Sequence, residues 1–425
     1  MEVIYSRACG VDVHKTFIVA VICITEGEKP KYIRKRFSTY NNDLIKFREW
    51  LITNDCLNVC MESTGKYYIP VYNALEGYIS NVVVANPKWV KCVKGEKDDN
   101  KDAKWIADLF KLGMVRGSFI PEKQIRILRE LTRYLFKITN TRSSEKNRFT
   151  NALTVGNCKL DMVFSDIFGK SSSDIINIIL NNDNFSNEDI LNCLRKNCKA
   201  SPEDIINSIT GISLENSQKE RIIFIRDHIN YLTKMTDNIK EIINSLVKPY
   251  EDYIELLCTI PGIDRNSAIT IISEIGTNMK QFSSHYKLAS WAGLAPGCNE
   301  SAGKKKSVKI SRAGVYLKPC LVEVAHSAIK DKKCPYYANK YNKIVKRRGK
   351  KRAIIAIARK ILVAIYHMML TGETFNPTDL ASIETTDKDK IKYTKNNFKQ
   401  NISQLLSHGL TTAEIISLIQ EQNAN

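Results

Sequence analysis

The chain lacks the cysteine patterns that mark a zinc site. It has twelve cysteines but no CxxC pair. Its closest pairs are Cys56 with Cys60 and Cys193 with Cys198, and no histidine lies at zinc-finger spacing from either. We therefore expect free, mostly buried thiols in a reducing cytosol rather than a metal site or a disulfide framework.

Signals for export or membrane insertion are also missing. The N-terminus has no charged segment followed by a long apolar one, which excludes the pattern of a signal peptide. The most apolar run, Ala353 to Leu370, is interrupted by Arg359 and Lys360, and it fits a buried helix better than a membrane span. We expect a soluble, cytoplasmic protein without a membrane partner.

Positive charge is what the chain has in excess. Lysine and arginine number 64 against 45 acidic residues, which gives a formal net charge of +19 and a pI of about 9.3. This surplus favours a polyanionic partner, because each phosphate that is neutralised releases counterions and adds affinity. Nucleic acid is the leading candidate. An anionic membrane surface is the rival, but no isolated basic amphipathic helix supports it.

The first 110 residues alternate short apolar strands with helices. Three strands, around Asp12, in TFIVAVICIT and in YIRKRFST, are close enough in sequence for a meander. A helix, a strand that ends at Glu62, a second helix, the strand NVVVAN and a third helix follow. The order β-β-β-α-β-α-β-α is that of an RNase H-like α/β layer.

Beyond this layer the chain is mostly helical. Residues 121–248 contain two long amphipathic segments around a mixed insert, which predicts a hairpin or coiled-coil arm. Residues 249–370 begin with two helical stretches around a Pro-Gly turn, in LLCTIPGIDRNSAITIISEIG, and resemble a helix-hairpin-helix; a plain helical turn is the alternative. Residues 371–425 have the composition of a linker followed by two short helices.

Four carboxylates mark a candidate site in the first layer. The first and fourth strands of an RNase H-like sheet are neighbours, so Asp12 would meet Glu62. Asp99 and Asp102 are three residues apart and would share one face of the last helix, aimed at the same sheet edge. Converging carboxylates repel each other unless cations lie between them. Mg²⁺, or Mn²⁺ in its place, suits such oxygen ligands and the phosphate of a substrate.

A simpler interpretation of this acidic segment remains open. KGEKDDNKDAKW could be a solvated helix start, in which acidic side chains favour the helix dipole. Asp98 and Glu96 also compete for places in the site, because a slip of one residue would exchange Asp98 for Asp99.

A basic segment with one serine is the second candidate site. In WAGLAPGCNESAGKKKSVKISRAG the small neighbours of Ser301 would let a bulky backbone approach its hydroxyl; an ordinary basic loop is the alternative. A serine that attacks a phosphodiester conserves its energy as a phosphoserine ester. Tyr336, Tyr337 and Tyr341 could stack bases next to a second basic run, KRRGKKR. The basic residues predicted to contact nucleic acid are Lys304, Lys305, Lys306, Arg312, Lys346, Arg347, Arg348, Lys350, Lys351 and Arg352.

Six motifs that follow one another in a fixed order resemble a known family. They are GVDVHK, MESTGKYY, KDDNKDAKWIADL, TIPGIDRNSAITIISEIG, WAGLAPGCNESAGKKK and KKRAIIAIARKIL. Together they resemble the DEDD transposases of the insertion-sequence one-ten family, also called bridge recombinases, over roughly residues 5–370. The chain departs from the family pattern at Ala302, where glycine usually follows the serine, and at Asp98, where threonine usually precedes the DxxD. Ser307 and Ser311 are the fallback nucleophiles.

The resemblance implies a role for each part of the chain. Residues 1–120 would form a RuvC-like DEDD catalytic domain, and residues 121–248 a helical coiled-coil arm. Residues 249–370 would form a transposase domain that contains the helix-hairpin-helix and the catalytic serine. Residues 371–425 lie outside the resemblance.

The resemblance also implies chemistry and partners. Asp12, Glu62, Asp99 and Asp102 would hold Mg²⁺ in one subunit, and Ser301 of another would attack a DNA phosphate to give a 5′-phosphoserine intermediate. Strand exchange would follow through a Holliday-type junction. The partners would be double-stranded DNA of the element ends and target, a structured noncoding guide RNA, and further copies of the chain in a dimer that assembles to a tetramer. The setting would be the bacterial cytoplasm, at the nucleoid.

Two other functions remain open on the sequence. A RuvC-like metal-dependent nuclease or Holliday-junction resolvase would use water in place of Ser301 and would form no covalent adduct with DNA. A catalytically inactive, nucleic-acid-binding relic of an element would fail to bind metal at the acidic cluster.

Overall fold

A computed structural model gives the architecture of the chain. It describes residues 2–26, 29–90, 98–182, 184–196, 198–297, 299–301, 304–307 and 309–377, with Ile402, Leu406 and residues 411–414. The side chains of residues 88, 89, 299–301 and 304–307 lie outside this description, as does nearly all of the predicted tail after residue 377. The chain divides into two compact units, Met1–Pro121 and Glu122–Asn425.

The first unit is an α/β layer built on one mixed sheet of five strands. Its elements, in chain order, are β1 (Arg7–Val13), β2 (Phe17–Ile24), β3 (Lys31–Ser38), α1 (Asn41–Thr53), β4 (Asn58–Glu62), α2 (Tyr68–Leu75), β5 (Asn81–Ala85), α3 (Pro87–Val90) and α4 (Asp99–Lys111).

The strands of this sheet lie in the order β3-β2-β1-β4-β5. β2 pairs antiparallel with both β1 and β3, whereas β4 pairs parallel with both β1 and β5. The predicted order of strands and helices is confirmed, and so is the prediction that the first and fourth strands are neighbours. The arrangement is compatible with an RNase H-like domain.

Alternation along β1 divides its side chains between two helical layers, because successive residues of a strand point to opposite faces. Val11 and Val13 are fully buried on one face, in a core that includes Phe47 of α1. Ala8, on the other face, packs with Phe110 of α4. Helix α4 therefore lies directly on the strand that carries the first predicted carboxylate.

The second unit is mostly helical. Its helices and strands, in chain order, are α5 (Lys123–Val155), α6 (Leu160–Val163), α7 (Lys170–Asn181), α8 (Asn187–Asn192), α9 (Pro202–Ile209), α10 (Asn216–Leu246), α11 (Glu251–Cys258), α12 (Arg265–Ile275), α13 (His285–Trp291), β6 (Asn299–Ser301), β7 (Lys304–Ser307), α14 (Leu317–Ala328), α15 (Tyr336–Arg348) and α16 (Lys350–Thr371). Two 3-10 turns, Lys248–Tyr250 and Met279–Gln281, complete the set among the described residues.

The two longest helices of this unit, α5 and α10, pack against each other. Phe149 and Leu153, near the end of α5, share one hydrophobic core with Ile222 and Ile229, near the beginning of α10. The helices therefore run in opposite directions. The short helices α6 to α9 form the insert between them and bury their apolar residues in the same core.

Helix α16 is the central helix of the last part of the unit. By length and composition it is the one helix among the described residues that could cross a membrane. Its apolar side chains, including Ile357, Ile361 and Ile365, are instead fully buried, and it packs against α13, α14 and α15. The predicted buried helix is confirmed.

Candidate active site

Asp12 lies near the end of β1, with only 14% of its side chain exposed. Its Oδ2 atom is 3.1 Å from Nε2 of His14. The same imidazole nitrogen lies 3.5 Å from Oδ1 of Asp99, and the ring stacks on Phe17. His14 therefore links the carboxylate of the strand to one of the two predicted carboxylates of the helix.

Glu62 is the last residue of β4, the parallel neighbour of β1. The hydroxyl of Thr64 donates a hydrogen bond of 3.3 Å to Oε1 of Glu62. The strand end thus presents this carboxylate at the same edge of the sheet as Asp12, as expected from their positions in the sequence.

Helix α4 brings Asp99 and Asp102 to this edge, and Gly10 of β1 allows the close approach. A Cβ atom at Gly10 would lie 2.2 Å from the carbonyl oxygen of Ala103 and 2.4 Å from the amide nitrogen of Ala107. Only a residue without a side chain permits the helix backbone to contact the strand so closely. The first turn of α4 therefore starts beside the carboxylate of β1.

Asp98, the predicted competitor of Asp99, caps the helix instead. It is the N-cap of α4, and its side chain accepts a hydrogen bond of 3.0 Å from the amide of Asn100. The interpretation as a helix start therefore accounts for one acid of the cluster, whereas Asp99 lies against His14. Glu96, the other competitor, lies outside the described residues.

Burial and repulsion raise the pKa of two of the four carboxylates, Asp12 and Glu62. Burial raises the pKa of Asp12, and the charges of Asp99 and Asp102 add to this rise while His14 opposes it. Burial also raises the pKa of Glu62, to which the charges of Asp12 and Asp102 contribute. Asp12 is thus close enough to interact with Asp99, Asp102 and Glu62, and Glu62 is also close enough to interact with Asp102.

The donor set suits a divalent cation. One ligand atom each from Asp12, His14 and Asp99 lie within 4.8 Å of one another. When they are ionised, clustered carboxylates carry negative charge that a bound cation would neutralise. Sequence reasoning missed His14. The signal was the Asp12-x-His14 spacing at the end of a strand, which places both side chains on one face.

The predicted serine lies on a two-stranded hairpin in the second unit. Strands β6 and β7 pair antiparallel, with Ser301 opposite Lys304 and Asn299 opposite Ser307. Ser301 therefore lies at the end of β6 that is farthest from the base of the hairpin. Its side chain and those of Lys304, Lys305 and Lys306 are outside the described set.

Two glycines pack the segments that flank this hairpin against each other. Gly293 and Gly314 both have φ of +68°, and a Cβ atom on them would lie 2.4 Å from the carbonyl oxygen of Ala313 and 2.1 Å from that of Ala292. Lys318 of α14 donates hydrogen bonds of 2.9 Å to two carbonyl groups in the same segment. The segments before and after the hairpin therefore lie close together.

The remaining predicted residues lie in exposed positions. Arg312 is exposed in the segment after the hairpin, and so is the fallback Ser311, whose hydroxyl accepts a hydrogen bond of 3.3 Å from the amide of Ala313. The second basic run is exposed at the junction of two helices. Lys346, Arg347 and Arg348 form the last turn of α15, and Lys350, Lys351 and Arg352 form the first turn of α16.

One of the three tyrosines predicted to stack bases is buried. Tyr337 cannot stack bases, because it is only 1% exposed and its ring stacks on Phe375; that prediction was wrong.

The Pro-Gly turn lies between α11 and α12 as expected. A Cβ atom at Gly262 would lie 2.6 Å from the amide of Ala328, so this turn packs closely on α14.

Comparison with known proteins identifies the family. Residues 9–156 match the transposase model of the DEDD group of IS110. Residues 254–342 match the model of the transposase IS116/IS110/IS902 family. The two matches together take in more than half of the 425 residues and include both the carboxylate cluster and the hairpin.

The chain belongs to the IS110 family of transposases.

Among curated proteins, this family member is similar to the transposase for insertion sequence element IS1111A of Coxiella burnetii (strain RSA 493 / Nine Mile phase I). The two are 27% identical over 144 residues, which make up 32% of this chain and 38% of that protein. The match therefore spans well under half the length of the relative.

Proposed function

We propose that this chain is the transposase of a bacterial insertion sequence, which cleaves and exchanges DNA strands through a phosphoserine intermediate under the direction of a guide RNA. The observation that carries the proposal is the meeting of Asp12, Glu62, Asp99 and Asp102 at one sheet edge, in a chain whose IS110 family membership is established.

In this proposal the four carboxylates bind Mg²⁺, or Mn²⁺ in its place. The bound ion would stabilise negative charge on the oxygens of the phosphate during transfer. Asp12 and Glu62 are held by the paired strands, and α4 holds Asp99 and Asp102 against them. His14 orients Asp12 and Asp99 through its Nε2 atom. A bound cation would offset the burial and the repulsion that raise the pKa of Asp12 and the pKa of Glu62.

Ser301 is the proposed nucleophile. Its Oγ atom forms a bond to a DNA phosphorus, the bond from phosphorus to the 3′ oxygen breaks, and the hydroxyl proton passes to the released 3′ oxygen. The 5′-phosphoserine ester keeps the energy of the cleaved bond. Attack by the 3′ hydroxyl of another strand then restores the serine and completes the exchange through a Holliday-type junction.

Several parts of the chain would bind nucleic acid. Three cations, Lys350, Lys351 and Arg352, occupy the first turn of α16, where a helix dipole disfavours positive charge. Bound phosphates would offset that cost. We assign the same role to Arg312, to the lysines of β7 and to the last turn of α15, and assign phosphate contact to the helix-hairpin-helix at α11 and α12.

The proposed assembly combines subunits. Residues 1–120 act as the RuvC-like catalytic domain, residues 121–248 as the arm, and residues 249–370 as the transposase domain that carries Ser301. The carboxylates of one subunit face the serine of another in a dimer or tetramer. Element ends, target DNA and the guide RNA are the partners, in the bacterial cytoplasm.

A denaturing gel tests this proposal. Protein would be mixed with Mg²⁺, labelled donor and target DNA, and RNA transcribed from the flanks of the gene. We expect a DNA-linked protein band that Ser301→Ala and Asp102→Ala both abolish. Cleavage without this band, surviving Ser301→Ala but not Asp102→Ala, would instead support a RuvC-like nuclease or resolvase. That alternative has one supporting observation, since the carboxylate cluster assembles within the first unit alone.

A further inference from the structure

A cavity in the second unit has no part in the proposed chemistry. It encloses about 650 Å³ between α13, α15, α16 and the segment that follows α16. Its walls are aromatic and basic, and include Tyr286, Tyr337, Arg359, Lys360 and His367. None of the carboxylates, serines or basic runs assigned above lines this cavity.

One wall presents an accessible aromatic face. Tyr286 of α13 is 62% exposed. Its ring centroid lies 4.0 Å from that of His285, and the guanidinium of Arg359 lies 6.0 Å from it. An exposed ring with a nearby cation suits a flat ligand that also carries negative charge.

The charges of the walls favour an anionic ligand. Arg359 and Lys360 contribute two positive charges, and Glu373 contributes one negative charge. Burial and the proximity of His367 and Arg359 lower the pKa of His285. The neutral form of its ring is therefore favoured, and that form adds a hydrogen-bonding, stackable surface rather than further charge.

We propose that this cavity binds an unpaired nucleotide of a nucleic-acid strand. The base stacks on Tyr286, and the phosphate lies beside Arg359. Stacking of bases on aromatic side chains next to basic groups is a general mode of binding single strands. Single-stranded DNA and unpaired RNA share this chemistry, and the site is distinct from the one proposed for strand exchange.

The test compares two hairpin duplexes that differ by one unpaired nucleotide at the end. Both are measured in DNA and in RNA at one salt concentration, so that general attraction to phosphates, of which the two forms differ by one, largely cancels in the ratio of affinities. We expect the full-length protein to bind the overhanging form about tenfold more tightly, in DNA, RNA or both. A preference in only one of them identifies the source of the nucleotide.

Variants of Tyr286 locate the effect. Tyr286→Ala is expected to abolish the preference, whereas Tyr286→Phe retains the ring and the preference. Tyr231→Ala serves as the matched control, because Tyr231 is 61% exposed on α10 and lies outside the cavity. Ser301→Ala and Asp102→Ala should retain the preference, which separates this test from that of the proposed function.

Equal affinity of the wild-type protein for blunt and overhanging hairpins, in both DNA and RNA, would overturn the proposal. A preference that Tyr286→Ala leaves unchanged would overturn it as well.

Discussion

Gly10 illustrates how one absent side chain sets the geometry of the carboxylate cluster. Its Cα atom lies against the backbone of α4 at Ala103 and Ala107. The short distance between strand and helix therefore requires a residue with only a hydrogen atom in place of a side chain at this position. Because Asp12 follows two residues later and Asp102 precedes Ala103, any shift of the helix moves the carboxylates apart.

Gly10→Ala should therefore both destabilise the protein and weaken the metal site. The added methyl group would clash with backbone rather than with a flexible side chain, and such overpacking costs about 1–3 kcal/mol. Urea unfolding measures the loss of stability. Gly117→Ala is the matched control, since its Cβ would approach only a side-chain atom of Val83, at 3.2 Å. Equal stability of the two variants would contradict this account of the strand–helix contact.

At the scale of the element, two adjacent acids at the start of α4 have different roles. Asp98 caps the helix, and Asp99 belongs to the cluster with Asp12 and His14. Asp98→Ala should lower the unfolding free energy by about 1 kcal/mol, as loss of an N-cap does, with metal affinity unchanged. Asp98→Asn, which keeps a capping side chain, should restore stability.

The converse holds for the neighbouring acid. Asp99→Ala should reduce Mg²⁺ or Mn²⁺ affinity about tenfold or more while changing stability less than the loss of the cap does. Calorimetric metal titration and thermal unfolding of the two variants measure both quantities. If Asp98→Ala lost metal affinity and Asp99→Ala did not, the helix would be shifted by one residue from the register described.

Helix α5 is attached to α12 by a buried ion pair. The guanidinium of Arg133 donates two hydrogen bonds, of 2.6 and 2.8 Å, to the carboxylate of Glu274, whose side chain is 4% exposed. Removal of one partner leaves a buried charge. Arg133→Met should therefore cost about 3 kcal/mol, and a double variant with Glu274→Met should cost less than the single one.

An exposed ion pair in the same unit provides the control. Arg265 and Glu251 form a similar two-bond contact, but both side chains are more than a third exposed. Arg265→Met should leave the unfolding free energy nearly unchanged, because exposed pairs contribute little. If Arg133→Met and Arg265→Met lowered the unfolding free energy by similar amounts, the burial of Glu274 would not explain the contribution of its ion pair.

The sheet was more predictable than the site. Apolar alternation and turn residues indicate where each strand lies, and strand order then places Asp12 beside Glu62. Sequence spacing also placed Asp99 and Asp102 on one helix face. It could not reveal the contact of His14 with two carboxylates, because that contact depends on how closely α4 packs on β1.

Other features depend on tertiary contacts that no local pattern encodes. The strands β6 and β7 consist of polar and basic residues with little strand propensity, so the hairpin around Ser301 was not predicted. Tyr337 is buried because Phe375, far along the chain, stacks on it. Local sequence presented it as an exposed aromatic residue next to basic ones.

At the scale of the whole molecule, net charge governs affinity for nucleic acid. A chain with a formal charge of +19 should bind DNA with a steep dependence on salt. Replacing Lys346, Arg347 and Arg348 with alanine should reduce the slope of log affinity against log salt by about 0.9 for each phosphate that the variant no longer neutralises. Fluorescence anisotropy over a salt series measures this slope.

A charge-preserving exchange serves as the control for that measurement. Lys346→Arg combined with Arg347→Lys and Arg348→Lys keeps three cations at the end of α15 and should leave the slope unchanged. If the alanine variant left the slope unchanged, this exposed run would not be part of the surface that binds nucleic acid.

The central claim is that Ser301 itself becomes joined to DNA, and mapping of the adduct tests it most directly. Protein trapped with Mg²⁺, guide RNA and DNA would be digested with protease and nuclease, and the peptide that retains a nucleotide would be sequenced by mass spectrometry. We predict a 5′-phosphate linkage on Ser301. A nucleotide on Ser307 or Ser311, or DNA cleavage with no modified peptide at all, would contradict the account.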